Sequence, residues 1–176
     1  MSERRAVFDF GIEGYRPDWL VGGRAIEETH GRRLLGLVGR RLSRLWVVWD
    51  LGDDEWFADC PVLLDFEGQQ LELNHKKFDE LSVTWNQCDP RRPVVWPDFD
   101  LRWRDDALPE PGTLLGRSLE RVEFVQWVGP DGSAGEGVDV AFGFEGGGRL
   151  TVHNALDENG LALGPPDPRT RVHVLR

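Results

Sequence analysis

Apolar and polar positions alternate along most of this chain, and nowhere do apolar residues recur every three to four positions for long enough to mark a long amphipathic helix. Residues 42–49 are rich in Leu, Val and Trp, side chains that fit a pleated, half-buried surface. Residues 61–67 and 70–74 read as two strands around a turn at Gly68-Gln69, with Leu71 and Leu73 on one face. Residues 81–86 complete a first group of strands. A second group opens at 119–127 and continues through the strict alternation of 138–144. After the Gly146-Gly147-Gly148 turn comes the short strand 150–152, and Asp157-Glu-Asn-Gly160 is a strong turn signal before Leu161.

Residues 25–30 allow at most a short helix, and Tyr15-Arg-Pro-Asp-Trp19 reads as a turn. Between the groups, residues 89–115 hold too many prolines for a continuous helix and predict a strand-and-turn connector. Pro165, Pro166 and Pro168 set off a last strand at 172–175. The expected fold is therefore mostly β: an antiparallel sandwich or open barrel. The expected layout is a single domain over 1–176, with an N-terminal extension (1–38), a first β-unit (39–88), the connector (89–115), a second β-unit (116–163) and a C-terminal strand (164–176).

The two groups resemble each other. Residues 62–85 align without a gap to 140–163, with seven identical pairs: Val62/Val140, Phe66/Phe144, Glu67/Glu145, Gly68/Gly146, His75/His153, Asp79/Asp157 and Glu80/Glu158. Upstream, at an offset one residue shorter, Gly39-Arg-x-Leu-x-Arg44 recurs as Gly116-Arg-x-Leu-x-Arg121. The pattern predicts two duplicated β-units related by a pseudo-twofold axis, with a groove between them. Strand phase disturbs one match. His75 shares a face with Leu71 and Leu73, whereas His153 shares one with Thr151, opposite Leu150 and Val152. A one-residue slip reverses every face, so the pleat pairs Asn74, and not His75, with His153.

Composition narrows the function classes. A formal net charge of −10 opposes binding to phosphate backbones, so nucleic acid is not an expected partner. No run approaches the length of a membrane span, and the first ten residues lack a signal-peptide core, which predicts a cytoplasmic protein. Cys60 and Cys88 are too few for a disulfide framework or a cysteine zinc site. Neither a metal nor any other cofactor is expected.

Three constellations carry candidate chemistry. His75, Asp79, His153 and Asp157 would supply acid–base groups if the two units converge, and His153, Asp157 and Glu158 are the alternative metal set. Asp50, Asp53, Asp54 and Glu55 form the densest acidic cluster, suited to steering a cationic protein. Among eight tryptophans, Trp46, Trp49 and Trp56 surround that cluster, and Trp is frequent at interface hot spots. The nucleophile elbow, the phosphate loop and the dinucleotide fingerprint are all missing from the chain.

The sequence thus predicts a non-catalytic binding protein that offers an acidic, aromatic surface to a basic protein partner. An inhibitor of the immunity type, such as bacteria keep against their own toxins, is one example. The alternative is a metal-dependent enzyme, or a small-ligand or carbohydrate-binding protein, that uses the groove.

Overall fold

A computed structural model describes residues 8–176. Two antiparallel sheets pack face to face as a sandwich. In the first sheet the strands β2 (Leu42–Asp50), β4 (Val62–Phe66), β5 (Gln69–Lys76) and β6 (Glu80–Trp85) lie side by side, and β1 (Trp19–Val21) extends the β6 edge. The far half of β2 also pairs with β3 (Glu55–Trp56) and β7 (Leu101–Arg104). The second sheet runs β11 (Asn159–Leu163), β10 (Arg149–Asn154), β9 (Asp139–Phe144), β8 (Leu119–Trp127) and β12 (Thr170–Val174).

Alternation puts Leu64, Phe66, Leu71 and Leu73 of the first sheet against Phe124, Val140, Phe142, Phe144, Leu150 and Val152 of the second. That shared core is the main source of stability, because it takes the largest apolar area out of water. The outer face of the first sheet is also covered. Phe10 and Tyr15 from the N-terminal segment pack there with Val48, Leu63, Trp103 and the two free thiols, Cys60 and Cys88.

The N-terminal region departs from the sequence expectation. A helix of 13 residues, α1 (Gly23–Leu35), replaces the short turn of helix expected at 25–30, and it packs against β1 and β8. Its seam consists of Ile26, Gly31 and Leu34, all buried. Ile26, Leu34 and the half-buried Leu35 are the helix's only large apolar side chains against the core, two of them at the C-terminal end, so the helical period is hidden from a hydropathy reading. The connector carries β7 and one short helix, α2 (Pro109–Gly112), where Pro109 occupies the first turn and needs no donor. No helix among the described residues is long and apolar enough to cross a membrane.

Four strands follow the same order in each sheet, β6, β5, β4 and β2 in the first and β11, β10, β9 and β8 in the second, while β1, β3, β7 and β12 lie outside that match. Each of β2 and β8 carries a register shift at its start, between Leu42 and Arg44 and between Leu119 and Arg121. The segments before these strands cross and bond reciprocally: Gly39 donates to Leu119 and Gly116 to Leu42, both at 2.8 Å, while Leu42 donates to Arg117 and Leu119 to Arg40. The hairpins then differ in a compensating way. The β4–β5 turn has two residues, Glu67 and Gly68, both at positive φ, and the β5–β6 loop has three. In the second sheet the order is reversed: beyond the strand ends Phe144 still bonds to Gly148, leaving three residues in the β9–β10 turn, and Ala155 bonds to Glu158, leaving two, Leu156 and Asp157, in the β10–β11 turn. The chain slips by one residue and then slips back. Asn74 faces Ser82 and His153 faces Gly160 at corresponding places, so the repeated histidines lie on opposite faces of their sheets.

Candidate functional site

Three connections meet at one place on the sandwich: the β5–β6 loop, the β10–β11 turn and the long loop from β8 to β9. They are fastened there by polar contacts. Lys77 gives its main-chain N–H to the Asp157 carboxylate. Asn154 Nδ2 donates to the Lys77 carbonyl at 2.8 Å, and its Oδ1 accepts the Asp157 N–H at 3.0 Å. Leu156 and Asp157 both hold positive φ, as a tight two-residue hairpin turn requires. The third connection comes so close that a Cβ at Gly137 would stand 2.8 Å from the Phe78 carbonyl oxygen. Glycine is thus the residue this approach admits.

Between these connections runs a groove of about 540 Å³. Phe78, Leu156 and Trp127 form its apolar walls, and Asp79, Glu136 and Asp139 its acidic groups. Leu156 and Phe78 are 78% and 76% exposed, the highest values among the large apolar residues described. Both sit on turns whose backbone is pinned, which leaves little ordering entropy to lose on binding.

Beneath the groove lies a buried polar knot. His75, at the end of β5, directs Nδ1 at Asn159 Oδ1 (3.1 Å) and Nε2 at the Val138 carbonyl (3.2 Å). Asn159 is held in turn by its Nδ2, which donates to the carbonyls of Ala58 and Cys60 and to Asn74 Oδ1. Burial drives the His75 pKa down to about 4, so at neutral pH the ring is uncharged. A neutral imidazole donates from one nitrogen only. The other therefore faces an oxygen with its lone pair.

Asp139 joins this knot to the groove. Its Oδ1 stands 3.7 Å from His75 Nε2 and accepts the Asn154 N–H at 2.9 Å. Burial pushes its pKa up to about 6, against the pull of that N–H and of the nearby His153. His153 lines a shallow depression on the outer face of the second sheet, shared with Asp139, Arg149 and Trp127, and its ring lies over Gly160. The two imidazoles thus flank Asp139 from different faces without facing each other. Sequence reading passed over Asp139: it is one polar residue in the alternating stretch 138–144, and nothing local shows that β5 of the other sheet ends beside it.

The remaining candidates are dispersed. Asp79 lines the groove, Asp157 is the clasp, and Glu158 is exposed with its carbonyl closing the turn to Ala155. Among the described residues no three His, Cys, Asp or Glu side chains are grouped to hold a metal ion. The acidic cluster forms the tip between β2 and β3. There Asp50 is buried and accepts the Gly52 N–H, Asp54 accepts the Trp49 indole N–H at 2.9 Å, and Asp53 and Glu55 are exposed.

The nearby tryptophans carry cations of this same chain. Arg104 lies 5.3 Å from the Trp49 ring centroid and Arg44 lies 5.9 Å from that of Trp46. Trp46 also borders an open depression with Asp65, Gln70 and Asn86, and Trp56 borders an apolar one with Leu108 and Leu161.

Comparison of the chain with protein-family models, with curated proteins and with solved structures finds no match. The functional reading therefore rests on this geometry.

Proposed function

We propose that this is a non-catalytic binding protein, working in the cytoplasm, that presents the groove between the two hairpin turns to a protein partner of basic character. The observation that carries the reading is the pairing of exposed Phe78 and Leu156 with the acidic groups Asp79, Glu136 and Asp139 on a pinned backbone. Aromatic and aliphatic anchors in a rigid cleft supply the dense contact energy of an interface, and an acidic rim steers a cationic partner to it. The tip that carries Asp53 and Glu55, outside the groove lining, adds to that field. A small acidic inhibitor of a basic toxin has these properties, and the analogy rests on charge and size alone.

The test is native pull-down with the tagged protein. Partner recovery is expected to survive substitution of Asp53 and Glu55 by Asn and Gln with modest loss, and to fail for the double variant Phe78→Ser/Leu156→Ser. Equal recovery by that double variant and the wild type sinks the reading.

A second reading has one observation in its favour. Asp139, between His75 and His153 with a pKa pushed up to about 6, has the poise of an acid–base group. It predicts turnover of a small groove-bound substrate, abolished by Asp139→Asn.

We also infer that the two sheets arose by duplication of one strand unit and are related by a pseudo-twofold axis. The reciprocal bonds between residues 39–42 and 116–119, the matching register shifts and the common strand order support this.

A further inference from the structure

We propose that the groove receives an arginine side chain of the partner, its stem between Phe78 and Leu156 and its guanidinium at Asp139. This rests on the reading of the groove as a protein-binding site and names what enters it.

Charge complementarity is the first support. Among the described residues Asp79, Glu136 and Asp139 have no Lys or Arg within ion-pair distance, and the one cation lining the groove, Lys77, is bound to Glu80 at 2.9 Å. The groove therefore carries uncompensated negative charge, whereas the half-buried Asp89 and Asp167 and the exposed Asp106 each hold an arginine of this chain. The walls are the second. Long cationic side chains bury their methylenes along apolar surface and keep the head group at a polar end, which is the order of groups this groove presents.

The third support lies beside the groove. The Arg169 guanidinium sits 4.9 Å from the centroid of Trp127, with Nε and Nη2 both bonded to the Asp167 carboxylate at 3.1 Å. One face of Trp127 thus already takes a guanidinium held by a carboxylate, and the same side chain also lines the groove. Arginine is favoured over lysine, because its planar fork meets a carboxylate with two bonds and stacks on an aromatic ring.

Binding is coupled to protonation. The charged or titratable groups around Asp139 are His75 from β5, His153 and Arg149 from β10, Glu136 from the preceding loop, and Lys77 and Asp79 from the β5–β6 loop across the groove. Guanidinium arrival stabilises the Asp139 carboxylate and releases its proton. Affinity therefore falls as pH drops below about 6, where burial sets the free carboxyl.

The test is an NMR titration of the intact protein with acetyl-arginine amide, followed at the Trp127 indole and the amides of Phe78 and Asp79. The expected result is saturable shifts at these positions, with affinity about threefold weaker for acetyl-lysine amide and about tenfold weaker for Asp139→Asn. The wild type should bind more weakly at pH 5 than at pH 7.5, and Asp139→Asn should lose most of that difference. Glu136→Gln, in an exposed loop where folding is not at stake, should weaken binding about twofold. Groove resonances that do not move, or an Asp139→Asn protein that binds as the wild type does, overturn the assignment. If pull-down through Phe78 and Leu156 still succeeds in that case, the arginine proposal alone has failed.

Discussion

Phe66 and Phe144 stack in the core between the sheets with ring centroids 6.5 Å apart and planes inclined by 11°. Each is the last residue of its strand and pairs with the leucine that opens the neighbouring one, Leu42 for Phe66 and Leu119 for Phe144. Both are fully buried. Phe66→Ala and Phe144→Ala should each cost about 3–5 kcal/mol by urea denaturation, the range for a buried ring replaced by a cavity. Because the rings touch, the double variant should lose about 0.5–1.5 kcal/mol less than the sum. Strict additivity would contradict a direct contact, and very unequal single losses would count against the two positions being equivalent.

Asn159 joins the sheets by polar contacts. It is 1% exposed, and its side chain serves His75, Ala58, Cys60 and Asn74 from the start of β11. Asn159→Ala leaves several of these groups buried without partners, at about 1–3 kcal/mol for each one unmatched. The expected outcome is a loss of 3 kcal/mol or more. Hydrogen exchange should rise first at the His75 amide, whose acceptor has gone. Unchanged protection there would show that the contact matters little.

Glu72 gives the fold a pH dependence. It lies on the outer face of the first sheet, fully buried, with Oε1 accepting the N–H groups of Gln87 and Cys88 and Oε2 unpartnered. Burial, opposed by those N–H groups, pushes its pKa up to about 7. An acid raised in the folded state contributes stability that is full below its unfolded pKa, near 4.5, and is lost as pH rises through about 7. Glu72→Gln keeps the Oε1 acceptor and removes the charge. At pH 8 it should stabilise the protein by about 1–3 kcal/mol, and at pH 5 by less than 1. A benefit equal at both pH values would show that ionisation is not the cause.

Architecture was more legible in the sequence than the site. Alternation located the strands because each sheet buries one face in a common core, and the slip between His75 and His153 follows from pleat phase alone. The helix α1 escaped because Gly31 occupies its seam where a large apolar residue would have marked it. Asp139 escaped for a different reason. Its role depends on β5 of the other sheet ending beside β9, a relation between residues 64 positions apart that no local pattern encodes. The cation over Trp49 is long-range in the same way, since Arg104 reaches it from β7, whereas Arg44 lies over Trp46 from two residues earlier in β2.

The groove is tested most directly by a photo-crosslinking amino acid placed at Phe78 and, in a parallel protein, at the exposed Asp53 on the β2–β3 tip, outside the groove lining. Both proteins are irradiated in the native cell and the adducts compared. The account predicts a discrete adduct from position 78, suppressed by Asp139→Asn, that contains a basic protein with an arginine at the crosslinked surface, and a weaker adduct or none from position 53. No adduct at position 78, or a stronger one at position 53, would contradict it.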